Sequence, residues 1–130
     1  MSKLRIFSSW FVVVMYAAFI FTLSSFSHPP LISELPWQIP DWLLHTVEYG
    51  LFGFFLVKAF NVSFQFLSGF LLLVITVLFG TLYGLTDEWH QSFVPERESS
   101  LRDVLADAIG VLAGAYGWLK WGKNANDKRV

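Results

Sequence analysis

The chain has 130 residues, 55% of them hydrophobic, with a mean hydropathy of +0.53, a net charge of −1 and no cysteine. That length makes a single domain, 1–130, and the composition is too apolar for an ordinary water-soluble core of this size, so the surplus must face lipid. The missing cysteines exclude disulfides, thiolate metal sites and cysteine nucleophiles, and no generic basic patch is present for nucleic acid.

The first element is predicted at about residues 6–24. Met1 to Arg5 is short and basic, and Ile6 to Leu23 is then continuously apolar or small. This run of about 18 residues exceeds the h-region of a secretory signal, and no small-residue cleavage site follows, so it reads as a retained transmembrane helix. His28 to Pro40 contains Pro29, Pro30, Pro36 and Pro40 and reads as a loop on the membrane surface. A second span is expected over about 42–60, opened by Asp41 in its first turn. Asn61, Ser63 and Gln65 make a short turn, and a third, strongly apolar span follows over about 66–86. A shorter, glycine-rich fourth span is expected at about 103–121, with a polar tail beyond it. The fold class is therefore all-α, an integral membrane bundle of four transmembrane helices.

Orientation follows from the basic residues. In a four-span topology Lys3, Arg5, Lys58, Lys120, Lys123, Lys128 and Arg129 fall on one side, and Arg97 and Arg102 on the other. The positive-inside rule then puts both termini and the Lys58 turn in the cytoplasm, and the Pro-rich loop and the 83–103 segment outside. Trp37, Trp42 and Trp89 are expected at the outer interface, and Trp118 and Trp121 at the inner one.

The polar residues gather at the outer end. Nothing from Ala59 to Thr86 is charged, whereas Tyr83 to Asp103 holds half of the chain's acidic residues. Asp41, His45 and Glu48 are spaced i, i+4, i+7 on one face of the second helix. Asp103 and Asp107 repeat the pattern on the fourth, continued by the small residues Gly110, Gly114 and Gly117, which let helices approach closely. Asp87, Glu88, His90 and Gln91 close the third helix at the same height. Arg97 offers a planar fork for a carboxylate or a phosphate. Glu48 and Asp107 lie too deep for capping or solvation to account for them, and a charge there costs about 2–3 kcal/mol unless paired or wetted. Plainer roles are available to the others: Asp41 as a helix N-cap, Ser100 and Asp103 as a capping box, Arg97 pinning the loop through Glu88 or Asp103.

The pattern Asp41-x-x-x-His45-x-x-x-Tyr49, then Asp87-Glu88-x-x-Gln91-x-Phe93-x-Pro95-x-Arg97-x-x-Ser100-x-x-Asp103, then Gly110 and Gly114, resembles the VanZ-like family of small bacterial membrane proteins. The Leu23-Ser24-Ser25 end of the first span is similar too. The resemblance covers nearly the whole chain up to Gly114. It departs at Glu96, where the family commonly has Gly between Pro and Arg, and at Asp107, where it often has Asn. Both differences add negative charge. The resemblance implies a multi-pass protein of the bacterial cytoplasmic membrane, kin to a protein associated with resistance to the lipoglycopeptide teicoplanin.

Three functions compete. One is a polar extracytoplasmic site that binds a lipid-linked envelope intermediate or a lipoglycopeptide, with Asp41, Tyr49, Asp87, Gln91, Arg97 and Asp107 as binding residues. Another is a membrane-embedded hydrolase or transferase on a lipid-linked substrate, with His45, Glu48, Glu88 and Asp103 as acid, base or ligand groups. The third is a structural subunit in which these groups fix helix register. Serine-nucleophile chemistry has no G-x-S-x-G elbow to support it. A divalent metal through His45, Glu48 and a second carboxylate pair is a further expectation, although no ligand spacing is diagnostic. Membrane lipids are expected partners, and free helix faces would suit a homodimer.

Overall fold

The computed structural model describes residues 2–27, 34–35 and 39–123. They form four α-helices and, among the described residues, no strand: α1 (Lys3–Ser24), α2 (Asp41–Ser63), α3 (Gly69–Gln91) and α4 (Leu101–Gly117), with a π-helical turn at Trp118–Gly122. The expectations for most of the Pro-rich loop, for Trp37 and for Lys128 and Arg129 fall outside the described residues.

Helices α1, α2 and α3 have 22, 23 and 23 residues and are long and apolar enough to cross a membrane. Helix α4, with 17 residues, falls short by itself. The π turn carries the helical path on to Gly122, a total close to the expected 103–121. The third helix begins later than expected. Ser68 Oγ accepts the amide of Leu71 and starts the helix at Gly69, leaving Phe66 and Leu67 in the preceding turn. It also runs on to Gln91, so Asp87, Glu88 and Gln91 are helical and buried.

Helices consecutive in the chain run antiparallel, which leaves α2 and α4 parallel to each other. The C-terminal ends of α1 and α3 meet the N-terminal ends of α2 and α4 at one end of the bundle, as Ser25–His90 and His45–Asp107 contacts require. At the other end Trp10 of α1 donates to Ser63 Oγ of α2 at 2.9 Å. Helix α2 is central and packs most extensively on α4. Glycine makes that approach possible. A methyl on Gly53 would overlap the Val111 carbonyl, and one on Gly110 or Gly114 would overlap the carbonyl oxygen of Thr46 or Gly50. Gly117 is different, because its open side faces the Trp121 ring rather than α2.

The core is built from Tyr49, Phe52, Leu56 and Val57 of α2 with Leu72, Val111 and Ala115. Outside, Phe7, Phe11, Phe70, Leu78, Leu105 and Ile109 are exposed. So dense a cover of large apolar side chains suits lipid and not water. Trp118 is 3% exposed and joins the core, whereas Trp89 and Trp121 are exposed.

Candidate functional site: a buried acid–histidine cluster

Four helix ends bring their polar residues together below one rim of the bundle. His45 lies four residues into α2 and Asp107 six residues into α4, roughly 6–9 Å below the helix starts at 1.5 Å per residue. His45, Tyr49, Asp87, Glu88, Gln91, Asp103 and Asp107 are all buried. The i, i+4 stripes on α2 and α4 thus face inward, as their spacing predicts.

His45 is the hub. Its Nδ1 is 2.8 Å from Asp107 Oδ1, between residues 62 apart in sequence, and its Nε2 is 3.7 Å from Glu88 Oε1. The first bond requires the proton on Nδ1 if the imidazole is neutral, which leaves Nε2 facing Glu88 as an acceptor. Glu88 Oε2 accepts the amide of Ser100 at 2.8 Å, tying the end of α3 to the start of α4. Deeper in, Tyr49 stacks on His45 and its hydroxyl donates to Asp87 Oδ2 at 3.2 Å; Gln91 Nε2 reaches the same oxygen at 3.4 Å. Three carboxylate oxygens remain buried without a hydrogen-bonding partner: Asp87 Oδ1, Glu88 Oε1 and Asp107 Oδ2. Unmet acceptors in that number are costly and ask for a donor, a proton or a cation.

A narrow cleft reaches this cluster from the rim, lined by Ser24, Asp41, His45, Glu48, Gln91 and Arg97. Its free space of about 20 Å³ admits a water molecule or an ion but not a sugar or a headgroup. Asp41 and Glu48 therefore line the approach with His45, as their shared face predicts. Beside the cleft a largely apolar groove of about 390 Å³ runs along α1 and α3 past Phe21, Tyr83, Trp89 and Phe93, with Asp87 and His90 also in its wall.

Several plainer readings are corrected. Asp41 does not cap α2, since Pro40 holds the cap position and no side-chain cap bond forms. Ser100 caps α4 by accepting the Arg102 amide at 3.1 Å, so the Ser100–Asp103 capping box does not close and Asp103 is turned inward. Arg97 does not reach Glu88. It is half-buried at the cleft rim and donates from Nη1 to the Phe26 carbonyl at 3.2 Å, while Ser27 Oγ donates to the Pro95 carbonyl. The end of α1 thereby holds the α3–α4 loop. His90 stacks on Phe21 and bonds Ser25 outside the cluster.

The residues able to hold a metal are His45, Glu88 and Asp107, each bringing a ligand atom within 4.8 Å of the other two. Glu48, expected among such ligands, stays outside this set. Gly84 is the residue that spacing does not reveal. It lies on α3 one turn before Glu88 and gives the Asp107 carboxylate its room.

The sequence model of the VanZ/LLP1 family matches residues 4–121. No curated protein and no solved structure matches the chain.

Proposed function

This chain belongs to the VanZ/LLP1 family, and from that premise we propose that it is a four-span protein of the bacterial cytoplasmic membrane that binds the polar head of a lipid-linked envelope molecule. Three helices of spanning length make it a membrane protein. The fourth span is α4 continued through the π turn, about 33 Å over residues 101–122 at 1.5 Å per residue, enough for a hydrocarbon core of about 30 Å. The cytoplasm lies at the Lys3, Lys58 and Lys120 end, and the cluster opens to the outer face.

The observation that carries this reading is the side-by-side placement of a polar cleft and an apolar groove at one end of the bundle. An amphiphile has that shape. Its hydrocarbon chain would lie along Phe21, Tyr83 and Trp89, and an anionic head would stay at the rim near Arg97, because the cleft is too narrow for it. A glycopeptide-type ligand with an acyl tail would engage the same two surfaces.

A second reading, a hydrolase or transferase on that ligand, is favoured by the His45–Asp107 bond. Asp107 fixes the imidazole through Nδ1, and the ring lines a water-sized space together with Glu48. There it is placed to take a proton from a water or hydroxyl attacking a phosphate or amide at the rim.

Native mass spectrometry of the gently extracted protein tests the proposal. A stoichiometric polyprenyl-phosphate-type lipid, lost in Arg97→Ala while the fold persists, supports it. Bulk lipids alone on the wild type, with Arg97→Ala and Glu88→Gln both melting earlier, would leave the cluster a structural network.

A further inference from the structure

We propose that His45 and Glu88 bind a divalent cation of the zinc class, with Asp107 holding the imidazole in position. The inference concerns the same end of the bundle but does not depend on the lipid reading, since it requires only these three side chains.

Charge balance makes the case. Asp87, Glu88, Asp103 and Asp107 are buried within one cluster, and His45 is the imidazole set among them. Even a protonated His45 leaves these carboxylates in excess. Arg97 does not enter the cluster, and the half-buried Glu48 at the cleft adds to the acidic side. Buried carboxylates facing one another are stable only if protons or a cation neutralise them.

The donor atoms favour a cation. Glu88 Oε1 and Asp107 Oδ2 are buried without a hydrogen-bonding partner, on residues 3% and 0% exposed. Glu88 Oε1 is aimed at His45 Nε2 from 3.7 Å, too far for a good hydrogen bond. Two ligands at about 2.0–2.2 Å from a zinc ion in tetrahedral geometry stand about 3.4 Å apart, so this pair needs a shift of only a few tenths of an ångström. Asp107 Oδ1 holding His45 Nδ1 is the carboxylate–histidine contact that orients a metal-ligating imidazole. An imidazole nitrogen and a carboxylate oxygen, without a thiolate, suit Zn²⁺ or Mn²⁺ better than Cu(I) or an iron–sulfur cluster. The ion-sized cleft from the rim reaches His45, one of the two ligands.

The test uses the full chain in detergent, stripped with chelator and dialysed against Zn²⁺, with bound metal measured by elemental analysis. The wild type and His90→Gln are expected to retain one zinc per chain. Glu88→Gln and His45→Gln are expected to lose it, and Asp107→Asn to bind about 10–100-fold more weakly. Should the His45 and Asp107 variants fail to fold, the wild type decides alone. Added Co²⁺ must give a visible d–d band that Zn²⁺ bleaches. Folded wild type that takes up no stoichiometric Zn²⁺ and gives no Co²⁺ band overturns the proposal, and protons then neutralise the cluster. A zinc-free protein that still carries the lipid removes this site and leaves the lipid reading standing. A zinc-loaded protein without lipid does the reverse.

Discussion

Gly84 of α3 lies directly against the Asp107 carboxylate of α4: a Cβ at Gly84 would stand 2.6 Å from Asp107 Oδ2 and 3.1 Å from its Cβ. Asp107 cannot retreat freely, because its Oδ1 is held by His45 at 2.8 Å. Gly84→Ala therefore either pushes α3 from α4 or breaks the Asp107–His45 bond. Overpacking of this kind costs about 1–3 kcal/mol. The expected result is a lower melting temperature in detergent, and a Gly84→Ala protein melting like the wild type would show that the contact yields without strain.

Glu88 has a structural oxygen and a chemical one. Oε2 accepts the Ser100 amide, and Oε1 faces His45. Glutamine keeps an acceptor for Ser100, whereas alanine leaves that amide without its partner, at about 1–3 kcal/mol. Glu88→Ala should accordingly melt well below the wild type and Glu88→Gln much closer to it. Thermal unfolding of the two side by side separates the loop-anchoring role from the role of the charge. Equal losses in both would assign the whole effect to the carboxylate's charge.

Much of this site was legible because helical spacing is a rigid geometric code. Asp41, His45 and Glu48 do share a face, and Asp103 and Asp107 do turn inward, since i, i+4 positions leave no other choice once a helix has one buried side. What spacing cannot supply is the pairing between helices. His45–Asp107 depends on how far α2 approaches α4, which is set by Gly53 and Gly110, and on the room that Gly84 of α3 leaves for Asp107. Charge logic pairs Arg97 with Glu88 or Asp103, but the backbone carbonyl of Phe26 takes Arg97 and the amide of Ser100 takes Glu88. Local hydrogen bonds of this sort leave no trace in residue composition. Trp118 shows the same limit, because a tryptophan near a helix end serves an interface or a core according to which way the π turn rotates it.

Two glycines of one stripe have different jobs. A methyl at Gly114 would overlap the backbone oxygen of Gly50, which cannot move without shifting α2, while at Gly117 it would meet only the Trp121 ring at 3.6 Å. Gly114→Ala is expected to destabilise by about 1–3 kcal/mol through overpacking. Gly117→Ala is expected to be neutral or to gain up to about 1 kcal/mol from helix propensity. Melting temperatures should therefore move apart. Parallel losses would mean that the close approach extends to the end of α4.

Glu96 carries the backbone of the α3–α4 loop through φ = 64°, the left-handed region that side chains with a Cβ disfavour by about 1–2 kcal/mol. This is the position at which the family resemblance has glycine between Pro95 and Arg97. The strain sits next to Arg97, which lines the cleft rim and whose bond to Phe26 ties the loop to α1. Glu96→Gly should raise the melting temperature by the equivalent of about 1 kcal/mol, less the carboxylate's own contacts. Glu96→Asn, which tolerates this conformation, should lie close to the wild type, and the β-branched Glu96→Val should fall below it. That order tests the backbone separately from the charge, because glycine, asparagine and valine all remove the carboxylate. If all three variants lose the same stability, the carboxylate matters and the turn does not. If glycine alone gains, the left-handed backbone at residue 96 carries strain that glycine relieves.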